Sequence, residues 1–134
     1  MADYYCSSRT NYFRVKDLVV FSVWAERRGV KIIANPTRHP GHFALIPDDS
    51  EYGGFPFYDI DSDGDVDFAT ELAEHLAEGS IAVILEAGAE KLRYIIGLAT
   101  AVNSKGDVVR ISLEDIYELA AKSFGLLEVT RAEY

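Results

Sequence analysis

The stretch from residue 81 to 112, IAVILEAGAEKLRYIIGLATAVNSKGDVVRIS, decides the fold. Three apolar runs, Ile81–Ala87, Leu92–Val102 and Val108–Ile111, are separated by Gly88–Lys91 and Asn103–Asp107. Both separators are rich in turn formers, so the pattern predicts an antiparallel meander of three strands. Gly97 interrupts the middle run and marks a bulge or a close approach of another group.

Working outward, Ser112 suits the N-cap of a last helix near 113–124, with Gly125 ending it. Its predicted core stripe is Leu113, Ile116, Tyr117, Ala120 and Phe124. On the other side, Asp67 can cap a helix over 67–78 that Gly79 ends. Phe68, Leu72 and Leu76 form its inner stripe, and Glu71, Glu74, His75 and Glu78 are expected on the outer face. Before it, Pro47 to Val66 reads as a long loop, and loops of that length in compact domains usually carry function. Val30–Ala34 and His42–Ile46 read as strands joined by the breaker-rich NPTRHPG at 35–41.

A first helix is predicted over 17–28, from an Asp17 cap to Gly29. It is apolar on nearly every side, so it must be deeply buried or offer a second face to a partner. Asn11–Val15 reads as a short strand, residues 1–9 as a mobile arm, and residues 126–134 as a tail without assigned structure. The order β-α-β-β-α-β-β-β-α defines an α+β domain, with about three helices packed on antiparallel sheet. A chain of 134 residues fits a single domain, 1–134, able to bury its own core. The single cysteine, Cys6, excludes an intrachain disulfide. The first twenty residues lack the apolar core of a signal peptide, and no run is long enough to span a membrane. A cytoplasmic protein is expected.

The charge is unevenly placed. Between Arg38 and Lys91 the chain has no Lys or Arg and thirteen acids, whereas the whole chain nets −9. Segregated charge builds a directional field that attracts cations or a basic partner and repels polyanions. Direct nucleic-acid binding is therefore not expected, since it rests on clustered Lys and Arg. The candidate partner surface joins the loop acids Asp48, Asp49, Glu51, Asp59, Asp61, Asp63 and Asp65 to the helix acids Glu71, Glu74 and Glu78. Tyr52, Phe55, Phe57 and Tyr58 lie among them as candidate anchors. A solvated face with its aromatics buried would account for the same residues.

Within that loop, Asp59, Asp61, Asp63, Asp65 and Asp67, with Gly64 at position 6, fit the first nine positions of an EF-hand calcium loop. The match fails at position 12, where Thr70 replaces the bidentate Glu. Gly53-Gly54-Phe55-Pro56 cannot supply the entering helix. An acidic turn with Asp67 as helix cap explains the residues without a metal, so no cofactor is expected; weak calcium binding is the alternative. His39, His42 and His75 lack zinc spacing. No phosphate loop, nucleophile elbow or metalloprotease motif is present, and no enzyme activity is expected. Arg27, Arg28, Lys31 and Arg38 form a small basic patch that complements the first helix's dipole.

In size, acidity and lack of catalytic motifs, the chain resembles the small acidic proteins that phages and mobile elements use against host defences, of the anti-CRISPR and anti-restriction kind. The segments TNYFRVKD, WAERRG and ISLEDIYELA look like those of short bacterial proteins. The resemblance implies stoichiometric inhibition of a bacterial defence complex, by acids that mimic nucleic acid in a basic channel. It carries over no site residues. A third reading is a structural or subunit-interface protein, including a homo-oligomer, with the first helix as its apolar patch.

Overall fold

The computed structural model describes residues 4–48, 53–56, 58–59, 64–65, 67–90, 94–125 and 130–132. The meander forms as expected. Strands β6 (Ile81–Glu90), β7 (Tyr94–Asn103) and β8 (Val108–Ser112) pair antiparallel in sequence order. The β7–β8 turn is built by one side chain. Asn103 Oδ1 accepts from the backbone N–H of Lys105 and of Asp107, each at 3.0 Å, and its Nδ2 donates to Asp107 Oδ2. Gly106, at φ 88°, supplies the left-handed residue that closes the turn.

A fourth strand, β1 (Tyr4–Thr10), completes the sheet in the order β1-β6-β7-β8. This corrects the mobile-arm expectation for residues 4–9; residues 1–3 lie outside the described residues. Cys6 lies opposite Gly88, where a Cβ would come within 2.2 Å of the Tyr5 carbonyl oxygen. Gly88, read from sequence as a turn residue, is thus part of β6 and lets β1 approach. Thr10 is buried at the end of β1, its Oγ1 donating to Asn11 O and accepting from Leu45 N–H, both at 2.8 Å. The strand expected over 11–15 reduces to two single bridges, Phe13 with Phe43 and Val15 with Leu76.

The hairpin of β2 (Val30–Ala34) and β3 (Phe43–Pro47) follows the predicted runs closely. The described residues of the long loop include a short ladder, β4 (Tyr58–Asp59) with β5 (Gly64–Asp65).

Helix α1 (Leu18–Arg28) has the expected ends. Asp17 accepts from Val19 and Val20 N–H, and Gly29 adopts φ 67°. Helix α2 (Phe68–His75) is shorter than the predicted 67–78. Its last expected turn is displaced by bonds to residues 14–16, Lys16 N–H to His75 O at 3.0 Å and Ala77 N–H to Arg14 O at 2.9 Å. Helix α3 (Asp115–Phe124) starts later than predicted. Ser112 is not its cap; instead Asp115 Oδ2 accepts from Ser112 N–H at 2.7 Å.

The core lies between α1, α2, the β2–β3 hairpin and one face of the four-stranded sheet. Phe13, Phe21, Leu45, Leu72, Leu76 and Val102 are fully buried in it. An aromatic train runs through it: Phe13 meets Phe21 edge to face, Phe21 stacks on Trp24, Trp24 on Phe68, and Phe68 on Phe55.

Three apolar surfaces stay outside. Residues opposite one another in an antiparallel ladder share a face. The register Arg9↔Leu85↔Ala99↔Ile111 therefore defines a second face of the sheet, turned away from the core. Ile81, Leu85, Ile95, Val109 and Ile111 on this face are exposed. Helix α3 buries none of its side chains, which corrects its predicted core stripe. Leu113, Ile116 and Phe124 are all exposed. On α1, Phe21 and Ala25 are buried while Val19, Val20 and Val23 are exposed, so the second apolar face expected there is present.

Candidate interaction surface

The predicted acidic surface is divided by the structure. Asp48 is exposed at the end of the β2–β3 hairpin, its backbone N–H donating to Gly29 O. Glu74, on α2, and Glu78, beyond its end, are also exposed. Asp49, Glu51, Tyr52, Phe57, Asp61 and Asp63 lie outside the described residues. Tyr58, Asp59 and Asp65 belong to the β4–β5 ladder, with Tyr58 opposite Asp65 and Asp59 opposite Gly64.

Three expectations need correction. Phe55, a candidate partner anchor, is buried in the core, its ring 4.8 Å from that of Phe68. Glu71, a candidate contact acid, faces α1 rather than solvent. Its Oε1 accepts from Trp24 Nε1 and Arg28 Nε, each at 2.7 Å, and its Oε2 accepts from Arg28 Nη2 at 2.8 Å. Burial pushes its carboxyl pKa up, but the Arg28 and then the Trp24 hydrogen bonds outweigh this and hold it below the ordinary value. Arg28 is thus more than a dipole-complementing charge: it forms a two-point fork that ties α1 to α2.

The third correction is His75, expected on the outer face of α2. It is half-buried, with its ring 4.9 Å from Trp24 and 5.8 Å from Phe21. Burial lowers its pKa against the pull of Glu74 and Glu71, and Lys16 lowers it further. A lowered folded pKa means that the unfolded chain takes up the proton first. The stability held by neutral His75 is complete above the ordinary value of 6.5 and declines as pH falls through the window below it. Thermal melts across this window are expected to show falling stability in the parent and a flatter profile in His75→Gln. Equal slopes in the two would rule out His75 as the titrating group.

The calcium-like loop ends in a residue already engaged. Asp67 caps α2, accepting from Thr70 Oγ1 at 2.8 Å and Thr70 N–H at 3.2 Å. These bonds, the hydroxyl first, hold its carboxyl below its ordinary pKa. Thr70, at position 12 of the motif, is thereby committed to the cap. Residues 53–56 are irregular, so no entering helix precedes the loop there. Calorimetric titration is expected to show calcium affinity no tighter than about 10⁻⁴ M, the weak end of the EF-hand range. Micromolar binding would restore the calcium reading.

A groove lies on the uncovered sheet face, about 530 Å³ in volume and almost wholly apolar. Leu85, Ala87, Gly97, Ala99, Ile111 and Leu113 are among its lining residues. Sequence reasoning missed it, although Ile81–Leu85 is continuously apolar. Strands that are apolar on both faces signal cover on both faces. Comparison with known protein families, with curated proteins and with solved structures finds no match to this chain.

Proposed function

We propose that the protein is a non-catalytic, stoichiometric binder of a basic protein or nucleoprotein surface. By occupying a basic channel, it would inhibit a nucleic-acid-handling bacterial complex of the defence type. The observation that carries this reading is the run from residue 39 to 90, which has thirteen acids and no Lys or Arg. Asp48, Glu74 and Glu78 present part of that charge to solvent, while Glu71 and Phe55 serve the fold instead. Such a field raises the association rate for a basic partner and makes it fall with salt.

The experiment is capture of basic proteins from bacterial lysate at low salt, with elution by raised salt. The comparison variant carries Asp48→Lys, Glu74→Lys and Glu78→Lys. It is expected to retain its thermal stability within about 0.5 kcal/mol, as exposed substitutions usually do. It should lose the captured partner, because attraction becomes repulsion. Equal capture by parent and variant would show that these acids only keep the chain in solution.

A further inference from the structure

We propose that the uncovered sheet face and helix α3 form a two-fold interface between two copies of this chain, with α3 of each copy lying in the groove of the other. This inference is independent of the acidic-surface reading.

The sheet face is built for cover. Ile95 is 77 % exposed, Val109 68 % and Ile111 62 %, although strands β6 to β8 carry the composition of a sheet buried on both sides. Monomeric proteins rarely expose contiguous apolar patches beyond a few hundred Å². The groove is lined by the small residues Ala87 and Ala99 beside Leu85 and Ile111, with Leu113 seated over Gly97. The small residues leave room for large side chains from outside.

Helix α3 supplies side chains of that kind. Ile116 is 58 % exposed and Phe124 74 %, and with Ala120 they lie on one stripe. Glu118 and Lys122 pair with each other on the opposite face. Tyr117, beside the stripe, is engaged by residues 130–132: Arg131 lies over its ring and Ala132 N–H donates to its hydroxyl. Leu113 already seats against Gly97 at the groove, its backbone N–H donating to Gly97 O at 3.0 Å. Beyond it, Ile116 and Phe124 stay exposed.

One chain therefore carries both an apolar groove and an apolar helix face, each without cover among the described residues. A two-fold interface needs such a self-complementary pair of surfaces, whereas a foreign partner would need only one. A standard stable interface buries about 800 Å² per partner, and the exposed Ile95, Val109 and Ile111 of the sheet, with Leu113, Ile116 and Phe124, supply apolar side chains for it. Charge permits the meeting. Among the described residues that line the groove, Arg9 and Glu86 are the charged ones, one of each sign, although the chain nets −9. Two copies can meet here while their acidic segments stay in solvent.

The test is sedimentation equilibrium of the full chain over a range of concentrations. The parent is expected at twice its mass of 14.9 kDa. Ile111→Lys, in the groove, and Ile116→Glu, on the helix, should each weaken self-association by about 100-fold, the effect of charging an interface centre. Both positions are exposed in the single chain, so circular dichroism should not change; should Ile111→Lys fail to fold, Ile95→Lys takes its place. Mixing the two variants should restore the dimer. In the mixed pair the Glu of one helix meets the Lys of the other groove, and the second contact is native. A parent that sediments as a single chain at every concentration overturns the proposal. So does a dimer that survives both substitutions, or a mixture that stays monomeric.

Discussion

Glu71→Lys is expected to destabilise the fold by about 3–5 kcal/mol, the cost of breaking a largely buried ion pair from one side. The Arg28 side chain is 12 % exposed and that of Glu71 27 %, so neither charge recovers full hydration when the other is lost. Lysine there would place two cations in contact and remove the acceptor of Trp24 Nε1 as well. Glu71→Gln keeps an acceptor and should cost less, about 1–2 kcal/mol. The same reversal at Glu74 or Glu78 should stay within about 0.5 kcal/mol. Chemical denaturation of the four variants measures this ordering. Equal midpoints for Glu71→Lys and Glu74→Lys would mean that the Arg28 fork contributes nothing. The pair also predicts acid sensitivity. The Glu71 carboxyl is held below its ordinary value of 4.5, so its stabilisation is fully present above that pH and is lost as pH falls through the folded value.

Phe21→Ala should cost a comparable amount, about 3–5 kcal/mol. Phe21 is wholly buried, and its ring touches Phe13 edge to face at 5.9 Å, Trp24 at 5.9 Å and His75 at 5.8 Å. Removing it breaks the aromatic train between Phe13 and Trp24. Within α1 only Phe21 and Ala25 are fully buried, so Phe21 is the main apolar anchor of the helix beside the Trp24 and Arg28 contacts to α2. Against a domain stability of roughly 5–15 kcal/mol, this one change removes a large share. The two variants share Trp24 as a neighbour, so their combined effect should depart from the sum of the single effects. Strict additivity in a double-mutant cycle would show that the aromatic train and the ion pair hold α1 independently.

The fold was legible where local chemistry decides it. The meander, the Asp17 and Asp67 caps, the Gly29 stop and the β2–β3 hairpin all follow from residues within a few positions of one another. What the sequence concealed depends on distant partners. Glu71 sits at helical spacing from Glu74 and Glu78, but nothing nearby reveals that Arg28, forty-three residues earlier, claims it. Ser7 and Ser8 looked like arm residues because an edge strand needs no continuous apolar face. Helix α2 ends early because residues 14–16 take over its last hydrogen bonds. The stripe on α3 was read as core, but periodicity does not say whether the surface that covers it belongs to the same chain. Of the candidate site, the charge segregation was legible; the withdrawal of Phe55 and Glu71 into the fold was not.

The sheet is also assembled against the order of synthesis. Its centre, β6–β7, closes through a short local connection, which forms quickly at little entropic cost. Strand β1 instead pairs Tyr4 with Glu90 and Thr10 with Ile84, across most of the chain. The first strand to leave the ribosome must therefore wait until the sixth has emerged, with Cys6 and its neighbours unpaired meanwhile. In the finished protein that strand lies at one edge of the sheet, so its amide protons should exchange with solvent before those of the central strands β6 and β7.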